Sequence, residues 1–157
     1  MTPPPARYLI DASVGVKLVL EEPGSDDAHA LLERVADDPQ GRIYVPDLFY
    51  PECANVLWKH VQRHRLAPDV AQENLARLLA LPAFEVRTRD VAAPALQLAL
   101  HHHISAYDAT YVAAAEHANA PLVTADGPLL DTFRGKQPAV LSLGEALARH
   151  STPSTGP

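Results

Sequence analysis

The sequence predicts an α/β fold: a parallel sheet of about five strands flanked by helices in a three-layer sandwich. Short apolar runs of about three residues recur along the chain, and longer segments with helical spacing of their apolar positions separate them. Strands that alternate with helices pair in parallel through crossover helices. A length of 157 residues, with 47% hydrophobic and 20% charged residues, bounds one globular unit with a sizeable core. Residues 1–150 are expected to form that domain, and 151–157, rich in Ser, Thr and Pro, a disordered tail.

The elements follow in order. Tyr8-Leu9-Ile10 reads as a buried strand. Ser13 is the expected cap of a helix over 13–21, and 25–37 is a second helix. Ile43-Tyr44-Val45 is a strand stopped by Pro46. A long helix covers 48–65, and Pro68 opens another to about Leu81. Phe84-Glu85-Val86 is a strand, and helices follow over 90–103 and 106–119. Leu122-Val123-Thr124 is a strand, with a short helix after Gly127-Pro128. Ala139-Val140-Leu141 is the last strand, and Ser142 caps a final helix.

Charge and composition exclude several classes. With 13 Lys and Arg against 19 Asp and Glu, the net charge is −6, which argues against coating nucleic acid by bulk charge but not against a local site. Cys53 is the only cysteine, so no intrachain disulfide forms. The start lacks the charged-then-apolar pattern of a secretory leader, and no apolar run approaches the roughly 18 residues of a membrane span. The cytoplasm is the expected compartment.

Four of the acids sit where solvated acids do not belong. Asp11 directly follows the first strand, with Ser13 two residues on, and Asp126 follows the fourth, with Thr124 two residues before it. Both lie at strand carboxyl ends, where α/β sheets bind ligands. Asp108 shares a helix face with Tyr111, Val112 and Ala115, and Glu52 borders the apolar face of Phe49, Cys53, Val56, Leu57 and Val61. Each has a plain structural reading. Asp108 fits a capping box with Ser105, Asp126 an N-cap, Asp11 a turn and Glu52 a solvated helix edge. Four acids in one cleft would not all stay ionised without a cation. Carboxylates and hydroxyls are the ligands that Mg²⁺ and Mn²⁺ prefer.

These segments resemble a known family. Tyr8-Leu9-Ile10-Asp11-Ala12-Ser13, Pro51-Glu52-Cys53-Ala54-Asn55, Ser105-Ala106-Tyr107-Asp108-Ala109-Thr110-Tyr111 and Leu122-Val123-Thr124-Ala125-Asp126 look like the four acidic motifs of PIN-domain ribonucleases. Their order and spacing over residues 7–148 look like the VapC toxins of bacterial toxin–antitoxin pairs. The resemblance implies a PIN-like fold and a metal-dependent endoribonuclease. Asp11, Glu52, Asp108 and Asp126 would hold one or two Mg²⁺ or Mn²⁺ ions and carry the catalysis. It makes Ser13, Asn55 and Thr124 supporting positions, and Asp131 the nearest candidate for a further acid, at a loose spacing. It also implies an RNA substrate, a homodimer and a cognate antitoxin that pushes a basic side chain toward the acidic pocket. Helices 13–21 and 25–37, rich in Val, Leu and Ala, are expected, together with helix 48–65, to leave more apolar surface than one sheet face covers, available to such a partner.

The remaining features divide between functional and structural readings. Lys59-His60-Val61-Gln62-Arg63-His64-Arg65 is the densest basic stretch. Lys59, Arg63 and Arg65 there fit either a track for RNA phosphates or cations favoured at a helix carboxyl end. His101-His102-His103 point in different directions on a helix and make a poor metal site, and Cys53 reads as a small core residue. A non-catalytic scaffold of the same fold is the alternative function, and the full set of acids counts against it. Ser13 stands where a haloacid-dehalogenase-like phosphatase needs a second Asp.

Overall fold

A computed structural model of the chain describes residues 3–149, so the tail expected over 151–157 lies outside the described residues. Five strands pair: β1 Arg7–Ile10, β2 Arg42–Pro46, β3 Ala83–Val86, β4 Leu122–Val123 and β5 Val140–Leu141. The helices among the described residues are α1 Ala12–Gly15, α2 Ser25–Asp37, α3 Phe49–Gln62, α4 Pro68–Leu79, α5 Thr88–His102, α6 Ala106–Ala118, α7 Gly127–Phe133 and α8 Leu143–Ala148. A 3-10 turn over Val16–Leu18 continues α1. The sheet runs β3-β2-β1-β4-β5 with every pair parallel, as the alternation of strands and helices predicts.

Strand order decides where a site can form. From β1 the chain steps outward through β2 to β3, then crosses back to lay β4 on the other side of β1. The switch point therefore lies between β1 and β4, where the crossovers diverge and leave a crevice beyond the strand ends. Leu9 pairs with Leu122 and Ile10 with Val123, so Asp11 and Thr124 emerge side by side at that crevice. Helix α6 lies across β1, β2, β3 and β4 and packs along α5. Its buried Ala109, Ala113, Ala114 and Ala115 let the backbone approach the sheet closely. Asn119 ends α6 in the left-handed region at φ 50°.

Several sequence expectations change in detail. Asp11, not Ser13, caps the first helix, because its carboxylate takes the Val14 N–H. That helix ends at Gly15 and tightens to a 3-10 turn instead of running to residue 21. Helix α3 stops at Gln62, with Arg63 as its cap and His64 left-handed at φ 55°. Arg65 thus lies off the helix that carries Lys59, and the basic stretch is no single helical face. Helix α5 starts two residues earlier than expected, and His103 closes it at φ 55°. The His102 ring packs on Phe133 at 4.7 Å between centroids.

Of the three helices expected together to leave apolar surface, α3 does so at Trp58, while the large apolar side chains of 13–37 are covered. Val14, Val16, Leu18, Ala28, Leu31 and Val35 are all buried, because α2 packs on β2, α8 and the 3-10 turn. The exposed large apolar side chains include Trp58 on α3, Leu79 on α4, and Leu96 and Leu100 on α5.

Candidate functional site

Asp11 is the centre of a hydroxyl network at the switch point. It is 7% exposed, and its carboxylate accepts from Ser13 Oγ at 2.5 Å, Thr124 Oγ1 at 2.5 Å and the Val14 N–H at 3.2 Å. Ser13 Oγ in turn accepts from the Ala125 N–H at 2.9 Å, and Thr124 Oγ1 from the Asp126 N–H at 3.0 Å. One buried carboxylate and two hydroxyls thus tie the end of β1 to the segment after β4. Among the described residues, no buried polar side-chain atom is left without a partner.

Asp126 caps α7, with Oδ1 accepting from the Leu129 N–H at 2.7 Å. The structural reading of this residue therefore holds, and the residue itself is exposed. Asp108 makes only half of the expected capping box. Ser105 Oγ accepts from the Asp108 N–H at 3.0 Å, while the Asp108 carboxylate makes no hydrogen bond among the described residues. Helix α6 is capped by Ser105 alone, which leaves that carboxylate free for other work.

Glu52 is half-buried on α3, and its Oε2 accepts from the Tyr111 hydroxyl of α6 at 2.8 Å. Sequence reasoning placed Tyr111 on an apolar face and missed this bond. The signal available was one hydroxyl-bearing side chain, a turn beyond Asp108, among small apolar neighbours. Asn55 lies exposed one turn after Glu52, and Lys59, Arg63 and Arg65 are exposed beyond it. Asp131 forms an exposed pair with Arg134 at 2.7 Å and takes no part in the network.

The charges act on one another. Burial pushes the Asp11 carboxyl up to about 6, against the pull of its hydroxyl and N–H donors, and the nearby Glu52 raises it further. Burial also raises Glu52, the Tyr111 hydrogen bond opposes that, and Asp108 adds repulsion. Cys53, on the core side of α3, is pushed up to about 12 by burial and then by Glu52 and Asp11. It stays a thiol. Glu52 thus raises Asp11 and is itself raised by Asp108, and no cationic side chain pairs with these acids or with Asp126 among the described residues.

The four carboxylates do not converge into one cluster. Among the described residues, no group of three or more His, Cys, Asp and Glu side chains is placed to hold an ion together. Asp11, Glu52 and Asp126 are instead turned toward protein donors. In chemical type the set still fits a hard divalent cation: carboxylates and hydroxyls, with no thiolate or imidazole among them. A cation would relieve both the burial of Asp11 and the repulsion among the acids.

Comparison with known proteins identifies the family and the fold. The PIN domain family model matches residues 8–132. Ribonuclease VapC3 of Pyrobaculum aerophilum is 36% identical over 129 residues, which span 81% of this chain and 95% of the relative. Among solved structures, PAE2754 from Pyrobaculum aerophilum superposes with a TM-score of 0.66 at 24% identity, covering 91% of this chain and 88% of that one. A toxin–antitoxin complex from Klebsiella pneumoniae gives a TM-score of 0.60 at 19% identity, covering 87% and 97%. With its sheet order, its strand-end acids and these matches, the chain belongs to the PIN-domain family and to its VapC group.

Proposed function

We propose that this protein is a metal-dependent endoribonuclease and the toxin of a toxin–antitoxin pair. It would hydrolyse RNA phosphodiester bonds with one or two Mg²⁺ or Mn²⁺ ions held by Asp11, Glu52, Asp108 and Asp126. The observation that carries this reading is a buried Asp11 at the switch point, coupled to a second acid and, among the described residues, paired with no cationic side chain. The relative named a ribonuclease supports the reaction class.

When bound, a divalent ion offsets phosphate charge and supplies hydroxide near neutral pH. The chain's own groups do the rest. Asp11 anchors the site, with Ser13 and Thr124 orienting its two oxygens. Asp108 and Asp126 each have carboxylate capacity that no helix cap consumes, and they share the coordination. Glu52 keeps one oxygen free beside the network, as an outer ligand or as acceptor of a proton from water. Lys59, Arg63 and Arg65 form an exposed basic stretch that draws RNA phosphates, and Asn55 lies between it and Glu52.

For partners we read an antitoxin protein and a homodimer. The solved toxin–antitoxin complex of the same fold supports the first. Exposed Trp58, Leu79, Leu96 and Leu100 supply apolar area for either. No helix of the described residues is long and apolar enough to cross a membrane.

The test is incubation of the pure protein with total RNA in Mg²⁺ or Mn²⁺, beside EDTA and an Asp108→Asn control. Discrete fragments that appear with metal and vanish in both controls are expected. Identical patterns in every lane would return the protein to the scaffold reading.

A further inference from the structure

Tyr111 stands out within its helix. The buried face of α6 consists otherwise of Ala109, Val112, Ala113, Ala114 and Ala115, side chains that pack and do nothing polar. Tyr111 is 3% exposed and brings a hydroxyl into that face. If the position served packing alone, a Phe ring would fill it with no polar atom to satisfy. The hydroxyl finds its partner 59 residues away, on another helix, in Glu52 Oε2 at 2.8 Å.

The geometry has a directional consequence. Glu52 sits on a half-buried helix edge, where a carboxylate has several open rotamers. The Tyr111 bond takes one oxygen and selects among them, leaving Oε1 as the free acceptor. Because Tyr111 lies one turn beyond Asp108, the same helix carries one acid and aims another. Fixing Glu52 therefore also fixes its placement relative to Asp108, whose charge it feels.

We propose that Tyr111 is a positioning residue: its hydroxyl holds the Glu52 carboxylate so that the remaining oxygen serves the divalent ion. This rests on the metal-dependent reading given above, and names the group that shapes one of its ligands. A neutral donor suits the task. An Arg or Lys in its place would form an ion pair and compete with the cation for Glu52, whereas a tyrosine orients the carboxylate and leaves its charge available.

The experiment is Mn²⁺ binding by calorimetry to four proteins: wild type, Tyr111→Phe, Glu52→Gln and the double variant, each checked for an unchanged melting temperature in EDTA. Tyr111→Phe keeps the ring and is expected to weaken Mn²⁺ binding about 10-fold or more, the scale of lost outer hydrogen bonds to ligands. In the Glu52→Gln background the same change is expected to alter affinity less than about 2-fold, because the group it positions is gone. RNA cleavage by Tyr111→Phe is expected to recover at high Mn²⁺. Wild-type affinity in Tyr111→Phe overturns the proposal, and so does an equal loss in both backgrounds, which marks a packing role. Failure of the wild type itself to bind Mn²⁺ overturns the metal-dependent reading, and this proposal with it.

Discussion

Asp11 and Glu52 stand at the same end of the sheet, yet the chain holds them by different means. Asp11 is set by the backbone of the central strand and by donors from Ser13, Val14 and Thr124. Glu52 rides on α3 and is steadied by one hydroxyl from α6. The strand-end half of the site is buried and over-determined. The helix-borne half, Glu52 with Asp108, is partly open to water and lightly tied. Strand ends have little freedom once register is set, whereas a helix can shift or rotate on its packed face. A site built from both therefore has a rigid anchor and an adjustable side, which would suit the proposed ion and a bulky substrate.

Asp11→Asn gives the sharpest test of the anchor. Its cleavage of RNA in Mn²⁺ is expected to fall by more than about 100-fold. Without metal the same residue is a burden, and the sign can be worked out. Its carboxyl is raised from 3.8 unfolded to about 6 folded, so the folded state holds the proton more tightly. Stability from this group is full below about pH 4 and is lost as pH rises through about 6. In EDTA, urea unfolding at pH 4 and 7 should show wild type losing about 2 kcal/mol relative to Asp11→Asn. An equal pH response in both proteins would remove Asp11 from its assigned place.

The link between the two halves can be broken next. A Cβ on Gly15 would meet the buried Phe49 ring at 2.4 Å, so α1 and α3 approach each other only because residue 15 has no side chain. Gly15→Ala is expected to cost about 1–3 kcal/mol, read as a lowered urea midpoint, and to push α3 with Glu52 away from Asp11. Thr124→Val removes a hydroxyl that donates to Asp11 and accepts from the Asp126 N–H. A loss of about 1–2 kcal/mol at pH 7 is expected by thermal or urea unfolding. No loss would mean that water replaces the hydroxyl and that the anchor is less rigid than described.

The basic stretch should respond most weakly. Lys59→Ala is expected to lower the salt dependence of RNA binding by about one unit of slope, with cleavage changed only a few-fold. Arg65→Ala tests the correction at the end of α3, because Arg65 lies past the left-handed His64 and is free to follow a different phosphate. Equal slopes in wild type and both variants would leave the stretch with helix-end stabilisation only.

The sequence by itself determined the fold class and singled out four acids as candidates. Alternating strands and helices allow few topologies, and an acid directly after a buried strand reaches a sheet end whatever the rest of the chain does. Asp11 and Asp126 were legible for that reason. Only the tertiary structure decided which side chains meet. It put the switch point between β1 and β4, joined Asp11 to Thr124 across 113 residues, and gave Tyr111 to Glu52. It also decided that, of the helices expected to leave apolar surface, α3 exposes Trp58 while α2 is covered by α8. Helical periodicity says which face of a segment is apolar, but not which other element covers it. Contacts between residues distant in the chain depend on strand order and helix packing, and no local spacing encodes those.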